Sequence, residues 1–302
     1  MIRDWCRVYA LAGLLGGGMA MTCGCAATND GGMRVVFYSD VQATTQWGVP
    51  EAMPIAADAI NAVHPDLVIA GGDLIGGGFT ANPQEAEENW AVYASLVERI
   101  EAPVKNAIGN HDLVGAARAD PSDWSAPRSS FLKHTGLDRT YYAFDAGGYH
   151  FIVLDTVQVV GGDLGYEGGL DPAQREWLVS DLARVEVDKP IVLVSHMPLL
   201  SVFPLARNGW AEPAARNRVI LDANKLLDLF SDRRLELVLQ GHLHVFEKIE
   251  WRGTTFVTGG AVSANWWKGA RLGTEEGFCV VDLNGDGVDV RYQSYEWEGR
   301  RD

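Results

Sequence analysis

Pro103-Val104-Lys105-Asn106-Ala107-Ile108-Gly109-Asn110-His111-Asp112 is the stretch on which the reading of this chain turns. Val104 to Ile108, bounded by Pro103, reads as a short buried strand. Gly109 then lets the backbone turn sharply, so the next side chains project from a strand tip. Asn110 offers a neutral amide oxygen and His111 an imidazole, a pairing that suits a nearby cation. One such quartet reads first as an ordinary polar turn. Four more clusters shift the balance: Asp40-Val41-Gln42, Gly71-Gly72-Asp73, Ser195-His196-Met197-Pro198 and Gly241-His242-Leu243-His244 each follow an apolar run.

Upstream of the quartet, residues 33–39 and 67–70 read as strands, and residues 51–63 and 84–100 as helices. Pro65 closes the first helix; Trp90, Tyr93, Leu96 and Val97 share a face of the second. A β-α-β-α-β order predicts neighbouring strands joined by crossover helices, with ligands at the carboxyl ends of the strands. Downstream, residues 116–136 read as a polar loop with a short helix. Residues 141–144 and 150–154 read as paired strands turned at Gly147-Gly148, with Asp155 at the end of the second, and 161–169 as a Gly-rich loop. Helices follow at 172–183, opened by Asp171-Pro172 as cap and first residue, and at 217–230. Residues 190–194 and 235–239 are strands. Residues 245–250, 254–258, 278–283 and 288–297 alternate like antiparallel strands. No repeat or interdomain linker interrupts the pattern, so one domain from residue 32 to 302 with two layered sheets is expected.

Bulk properties exclude some functions. The 302 residues are 47% hydrophobic and 22% charged, as in an ordinary globular protein, with a formal net charge of -15 and a pI near 4.8. That excess of carboxylates repels a phosphate backbone and argues against nucleic acid as a partner. Small phosphate esters stay open, because a bound metal reverses the sign locally. Three of the four cysteines stand before residue 26, which rules out a disulfide-stapled fold; Cys279 reads as a small buried apolar residue. Residues 1–27 have the order of an export signal: Arg3 and Arg7, a short apolar core, then small residues. Cleavage near Ala26 or Ala27 and a lipoprotein-type anchor at Cys25 are alternative endings of that signal. Either one places the domain outside the cytoplasm, whether periplasmic, anchored to the cell envelope or secreted. Oligomeric state cannot be read from the chain.

Asp40, Asp73, Asn110, His196, His242 and His244 are oxygen and nitrogen donors at strand tips. In His242-Leu243-His244 an extended backbone would point both imidazoles the same way. Carboxylate, imidazole and amide without thiolate favour manganese, iron or zinc. The order Asp40…Gly72-Asp73…Gly109-Asn110-His111-Asp112…His196…Gly241-His242-Leu243-His244 resembles the calcineurin-like metallophosphoesterase family, over roughly residues 33–297. The resemblance implies an α/β fold: a four-layer α/β/β/α sandwich of two mixed central sheets with two divalent metal ions between their loops. It further implies that Asp73 bridges the metals, that Asp40 and His244 hold one, and that Asn110, His196 and His242 hold the other. His111 would be the catalytic acid or charge stabiliser, assisted by Asn110. The implied reaction is hydrolysis of a small or lipid-like phosphomonoester or phosphodiester by metal-activated hydroxide.

Gln42 departs from the family's usual Asp-x-His. As a metal ligand it offers only a neutral amide oxygen, which would weaken the first metal or favour a harder ion; alternatively it hydrogen-bonds nearby. This departure supports the rival reading, a non-catalytic cell-envelope binding protein with a degenerate metal site. Gly76 stands where purple acid phosphatases carry a Tyr, and the Asp-Arg-Gly of protein serine/threonine phosphatases is absent. Trp266-Trp267 could wall the site, Lys268 could meet a phosphate, and residues 44–50 and 77–89 would shape the rim. Arg207 and Asn208, after the His196 cluster, are further candidates for substrate contact. Asp282 to Gly287 matches the start of a calcium loop, but Gln293 holds the twelfth place and strands flank it, so a hairpin turn is expected. His64, His134 and His150 match no motif.

Overall fold

The computed structural model describes residues 32–163, 165–209, 211–285 and 287–297. The export-signal and lipid-anchor readings lie outside the described residues. Strand β1 (Met33–Tyr38) leads through helix α1 (Val49–Asn61) to β2 (Leu67–Ala70), and through α2 (Pro83–Val97) to β3 (Val104–Asn106). The three strands pair in parallel, as the alternation predicts. Next come α3 (Ser129–Thr135), β4 (Tyr142–Ala146), β5 (Tyr149–Val153), β6 (Val157–Gly161), β7 (Gly165–Gly168), α4 (Pro172–Leu182), β8 (Ile191–Ser195), α5 (Phe203–Asn208) and α6 (Ala223–Asp228). The remaining strands are β9 (Leu235–Gln240), β10 (Phe246–Trp251), β11 (Thr254–Gly259), β12 (Gly277–Asn284) and β13 (Gly287–Ser294).

Two mixed sheets result, ordered β13-β12-β1-β2-β3 and β10-β11-β9-β8-β5-β4. Side-chain alternation sorts each strand between two cores. Val35, Phe37 and Ile69 of the first sheet meet Phe151, Val192, Val194 and Leu237 of the second in a core between the sheets. Val36, Tyr38 and Val68 face outward with Met53 and Ile60 of α1 and Trp90 and Leu96 of α2. Ile191, Leu193 and Val238 belong to the same outer core as Leu178 of α4 and Leu226 of α6. This is the four-layer α/β/β/α sandwich. Helix α4 starts where expected: Pro172 leads, and the Asp171 carboxylate accepts from the Ala173 and Gln174 N–H groups.

Three local expectations fail. The Gly-rich stretch is not a loop but the arm of a β6-β7 hairpin, turned by Gly161, Gly162 and Gly165 at positive φ. Glycines have no side chain with which to announce a strand. The helix expected over 217–230 shrinks to α6, because Ile220 donates to the Pro198 carbonyl and bridges Gly168 instead. Strand β11 runs antiparallel to β10 but parallel to β9, so the C-terminal strands are not purely antiparallel. The Asp282 segment is a hairpin, with Asn284 paired to Gly287 and Asp282 bound to Arg34 and Arg291.

Beyond β5, Asp155 is fully buried against Arg128 (Nε to Oδ2, 2.6 Å) and accepts the Thr140 hydroxyl. Arg128 also donates to the carbonyls of Trp124 and Val157. Replacing Asp155 by Ala leaves this guanidinium buried and unpaired, and is expected to cost about 3–5 kcal/mol of stability. Denaturant unfolding measures it; a loss under about 1 kcal/mol would show that the pair is not structural.

Candidate metal centre

The loops that leave β1, β2, β3, β8 and β9 meet at one end of the two sheets. They are laced by main-chain bonds: Asp40 N–H to the Gly72 carbonyl, Gln42 N–H to Asp73, and Gly241 N–H to His196. Asp112 adds a buried clamp. One of its oxygens accepts from the Leu74 and Ile75 N–H groups, the other from Gly109. Burial, then the charge of Asp73, pushes its carboxyl up to about 8. The approach is so close that a Cβ on Gly109 would run into the backbone nitrogen and Oδ1 of Asp73. Closeness, not a left-handed φ, is what demands glycine there. Gly72 needs both, with φ +93° and His196 beside it.

Asp40, Gln42, Asp73, His242 and His244 all take positive φ. Such backbone costs about 1–3 kcal/mol per residue and gathers where function over-determines the structure. It also corrects the extended reading of His242-Leu243-His244. The two imidazoles serve different neighbours through left-handed backbone, not through strand alternation.

Hydrogen bonds set the ring nitrogens. His196 Nδ1 lies 2.9 Å from the Gly71 carbonyl, His242 Nε2 2.8 Å from that of Asn217, and His244 Nδ1 2.6 Å from that of Ala264. A carbonyl can only accept, so each of these nitrogens carries a proton and the other ring nitrogen faces inward. His196 Nε2 then stands 3.2 Å from His242 Nδ1, 3.2 Å from Asn110 Oδ1 and 3.4 Å from Asp73 Oδ2. Asp73, His196 and His242 are mutually close enough to hold one ion. Alongside, His244 Nε2 lies 3.1 Å from Asp40 Oδ1, yet that buried oxygen makes no hydrogen bond. Acceptors facing one another at such distances need a proton or a metal cation between them, and this set of oxygen and nitrogen donors fits a metal.

The charges agree. Burial opposes ionisation of Asp73 and Asp40, but the neighbouring imidazoles hold both below the usual carboxylate range. Burial pulls His196 down, while Asp73 and Asp40 outweigh it and push it up to about 10. With Nδ1 committed, that proton sits where the acceptors converge, and a metal would displace it. Burial and the charge on His196 hold His242 at about 3, keeping its inward lone pair.

All six tip donors are thus brought together. Gln42 turns its amide nitrogen to Asp73 Oδ2 at 3.0 Å, the second of its two expected uses; a half-turn of the amide would present the oxygen. His111 sits at the rim. Its Nδ1 accepts the Gly77 N–H at 3.1 Å, so Nε2 bears the proton, 3.9 Å from Asp73 Oδ2. The cleft it faces, about 370 Å³, is lined by Thr44, Trp47, Gly77, Asn89 and both tryptophans of the Trp266-Trp267 pair. Trp266 stacks on His244 at 4.2 Å, and Trp267 donates to the Gln42 carbonyl. Lys268 is not in that lining. Among the unmatched histidines, His134 stacks on Trp90 and His150 lies between Asp145 and Asp181, both away from the tips.

Tyr166 was missed. Carried in by the β6-β7 hairpin, its ring packs edge-on to His242 at 6.3 Å and to Phe79. Burial, then the charge of Asp73, pushes its hydroxyl up to about 12, so it stays protonated beside the centre. No sequence signal marked it, since its place depends on a hairpin built from glycines.

A four-layer sandwich that collects hard donors at facing strand tips is the architecture of a metallophosphoesterase. Over residues 33–246 the sequence matches the calcineurin-like phosphoesterase family, and the chain belongs to it. It is 30% identical over 211 residues to a probable cyclic nucleotide phosphodiesterase of Rhodopseudomonas palustris, covering 68% of this chain and 67% of that protein. A second probable cyclic nucleotide phosphodiesterase, from Rhodococcus erythropolis, is 28% identical over 61% of this chain, which spans only 53% of that relative. A dimetal phosphatase from Danio rerio shares the fold, with a TM-score of 0.64, 16% identity, and coverage of 87% of this chain and 96% of that one. Membership of the calcineurin-like phosphoesterase family implies divalent metal cofactors.

Proposed function

We propose that this is an exported phosphoesterase that hydrolyses a small or lipid-like phosphate ester and whose strand-tip cluster would hold two divalent ions, manganese, iron or zinc. The observation that carries it is the double set of facing acceptors: His196, His242, Asn110 and Asp73 on one side, Asp40 and His244 on the other. Asp73, whose Oδ2 lies 3.4 Å from His196 Nε2, would help to hold the ions. When bound, such ions supply Lewis acidity and an activated water at neutral pH.

The chain's own residues do the rest. The carbonyls of Gly71, Asn217 and Ala264 orient the three imidazoles. Gln42 holds the Asp73 carboxylate and Asp112 fixes the loops around it. His111, with its proton on Nε2 at the cleft, delivers that proton to the leaving oxygen or stabilises charge gathering on the phosphoryl group. Asn110 presents its amide oxygen to the same centre. The names of the two bacterial relatives bring phosphodiesters into the substrate class beside monoesters.

The test is metal analysis of the purified protein together with hydrolysis of p-nitrophenyl and bis-p-nitrophenyl phosphate in added manganese. Two equivalents of metal and metal-dependent release of nitrophenol are expected. Bound metal with no release from either ester would instead favour the rival binding protein.

A further inference from the structure

Behind Trp266 lies a second pocket, of about 310 Å³, whose lining includes Arg207, Asn208, Arg218, Leu243, Trp266 and Arg271. It shares Trp266 with the His111 cleft, and its Leu243 stands between His242 and His244. The pocket therefore opens against the metal centre.

Its charge runs against the rest of the molecule. In a chain of net charge -15 its lining carries three arginines and no carboxylate, whereas Arg34, Arg99, Arg128, Arg175 and Arg216 each hold one, and Arg118, Arg139, Arg184 and Arg252, which hold none among the described residues, do not line it. Arg207, Arg218 and Arg271 hold none among the described residues, although all three line this one cavity. Arg271 is fixed there: its Nε donates to the Leu243 carbonyl at 3.1 Å and its guanidinium lies over Trp266 at 4.7 Å. Burial, then the charges of Arg218 and Arg207, lowers the pKa of Arg271. Like charges kept together and unpaired in a concavity call for an anion. A single carboxylate is satisfied by one guanidinium fork. Three forks match the several oxygens and double charge of a phosphoryl group.

We infer that Arg207, Arg218 and Arg271 bind a second phosphoryl group of the substrate, so that the ester cleaved at the metal centre carries another phosphate beyond Trp266. The inference rests on the phosphoesterase reading above and adds the substrate class. Asn208, which lines the same pocket, would contact the atoms linking the two groups.

The test uses the full-length, manganese-loaded protein and ligands that cannot be hydrolysed. Calorimetry compares alkyl monophosphonates with alkane bisphosphonates of increasing chain length. At the length that spans Trp266, the bisphosphonate is expected to bind about tenfold or more tightly than its monophosphonate. In an Arg207→Gln/Arg218→Gln double variant that ratio should fall to near one. Neither side chain makes a hydrogen bond or ion pair among the described residues, so the scaffold does not depend on them. No advantage at any length, with nitrophenyl esters still hydrolysed, overturns the second-phosphoryl site and leaves the phosphoesterase standing. An advantage that survives in the double variant overturns the assignment to these arginines. An advantage lost in the variant, in a protein that hydrolyses neither nitrophenyl ester, keeps the anion pocket and overturns the phosphoesterase reading.

Discussion

Asp73→Asn is expected to strip the protein of most of its metal and to lower turnover of a nitrophenyl phosphate by about a thousandfold or more. The side chain keeps its shape, and its Oδ1 can still accept the His111 N–H at 2.7 Å, so the loop should stay in place. What disappears is the negative charge facing His196, His242 and His111. A neutral amide competes poorly for a divalent ion, and no other described carboxylate stands within reach of both His196 and His242. Metal content by elemental analysis, circular dichroism and turnover report the outcome. Unaltered metal content with unaltered turnover would remove Asp73 from the centre.

His111→Ala should separate chemistry from metal binding. Its ring stands off the ligand cluster, 3.9 Å from Asp73 and over a quarter exposed, so metal content is expected to survive. Turnover should drop about a hundred- to ten-thousandfold, the usual worth of a positioned proton donor. Leaving groups discriminate further. If Nε2 delivers a proton to the departing oxygen, phenyl phosphate should lose more than p-nitrophenyl phosphate, whose leaving group needs no proton. An equal loss on both would mean that His111 acts on the phosphoryl group instead. No loss on either would exclude it from the reaction.

Several site features could not be seen before the chain was folded. Gly109 reads as a turn residue, yet the fold needs it because Asp73 passes where a Cβ would be. Asp112 looks like the tail of a motif and proves to be the clamp on three backbone N–H groups of two loops. His242 and His244 keep their expected company, but by left-handed backbone. Arg218 and Arg271 stand far apart in the chain with no pattern around them; a common wall makes them neighbours.

The two layered sheets, the β-α-β-α-β start and the six donors were legible because they follow from periodicity and from residue type at strand ends, both properties of short segments; the four-layer order came with the family resemblance. The β6-β7 hairpin, the truncated helix before β9, the ring nitrogen each histidine turns inward and the arginine pocket were not. Each depends on which distant carbonyl, strand edge or like charge arrives beside it, and only the packing of the two sheets brings those groups together.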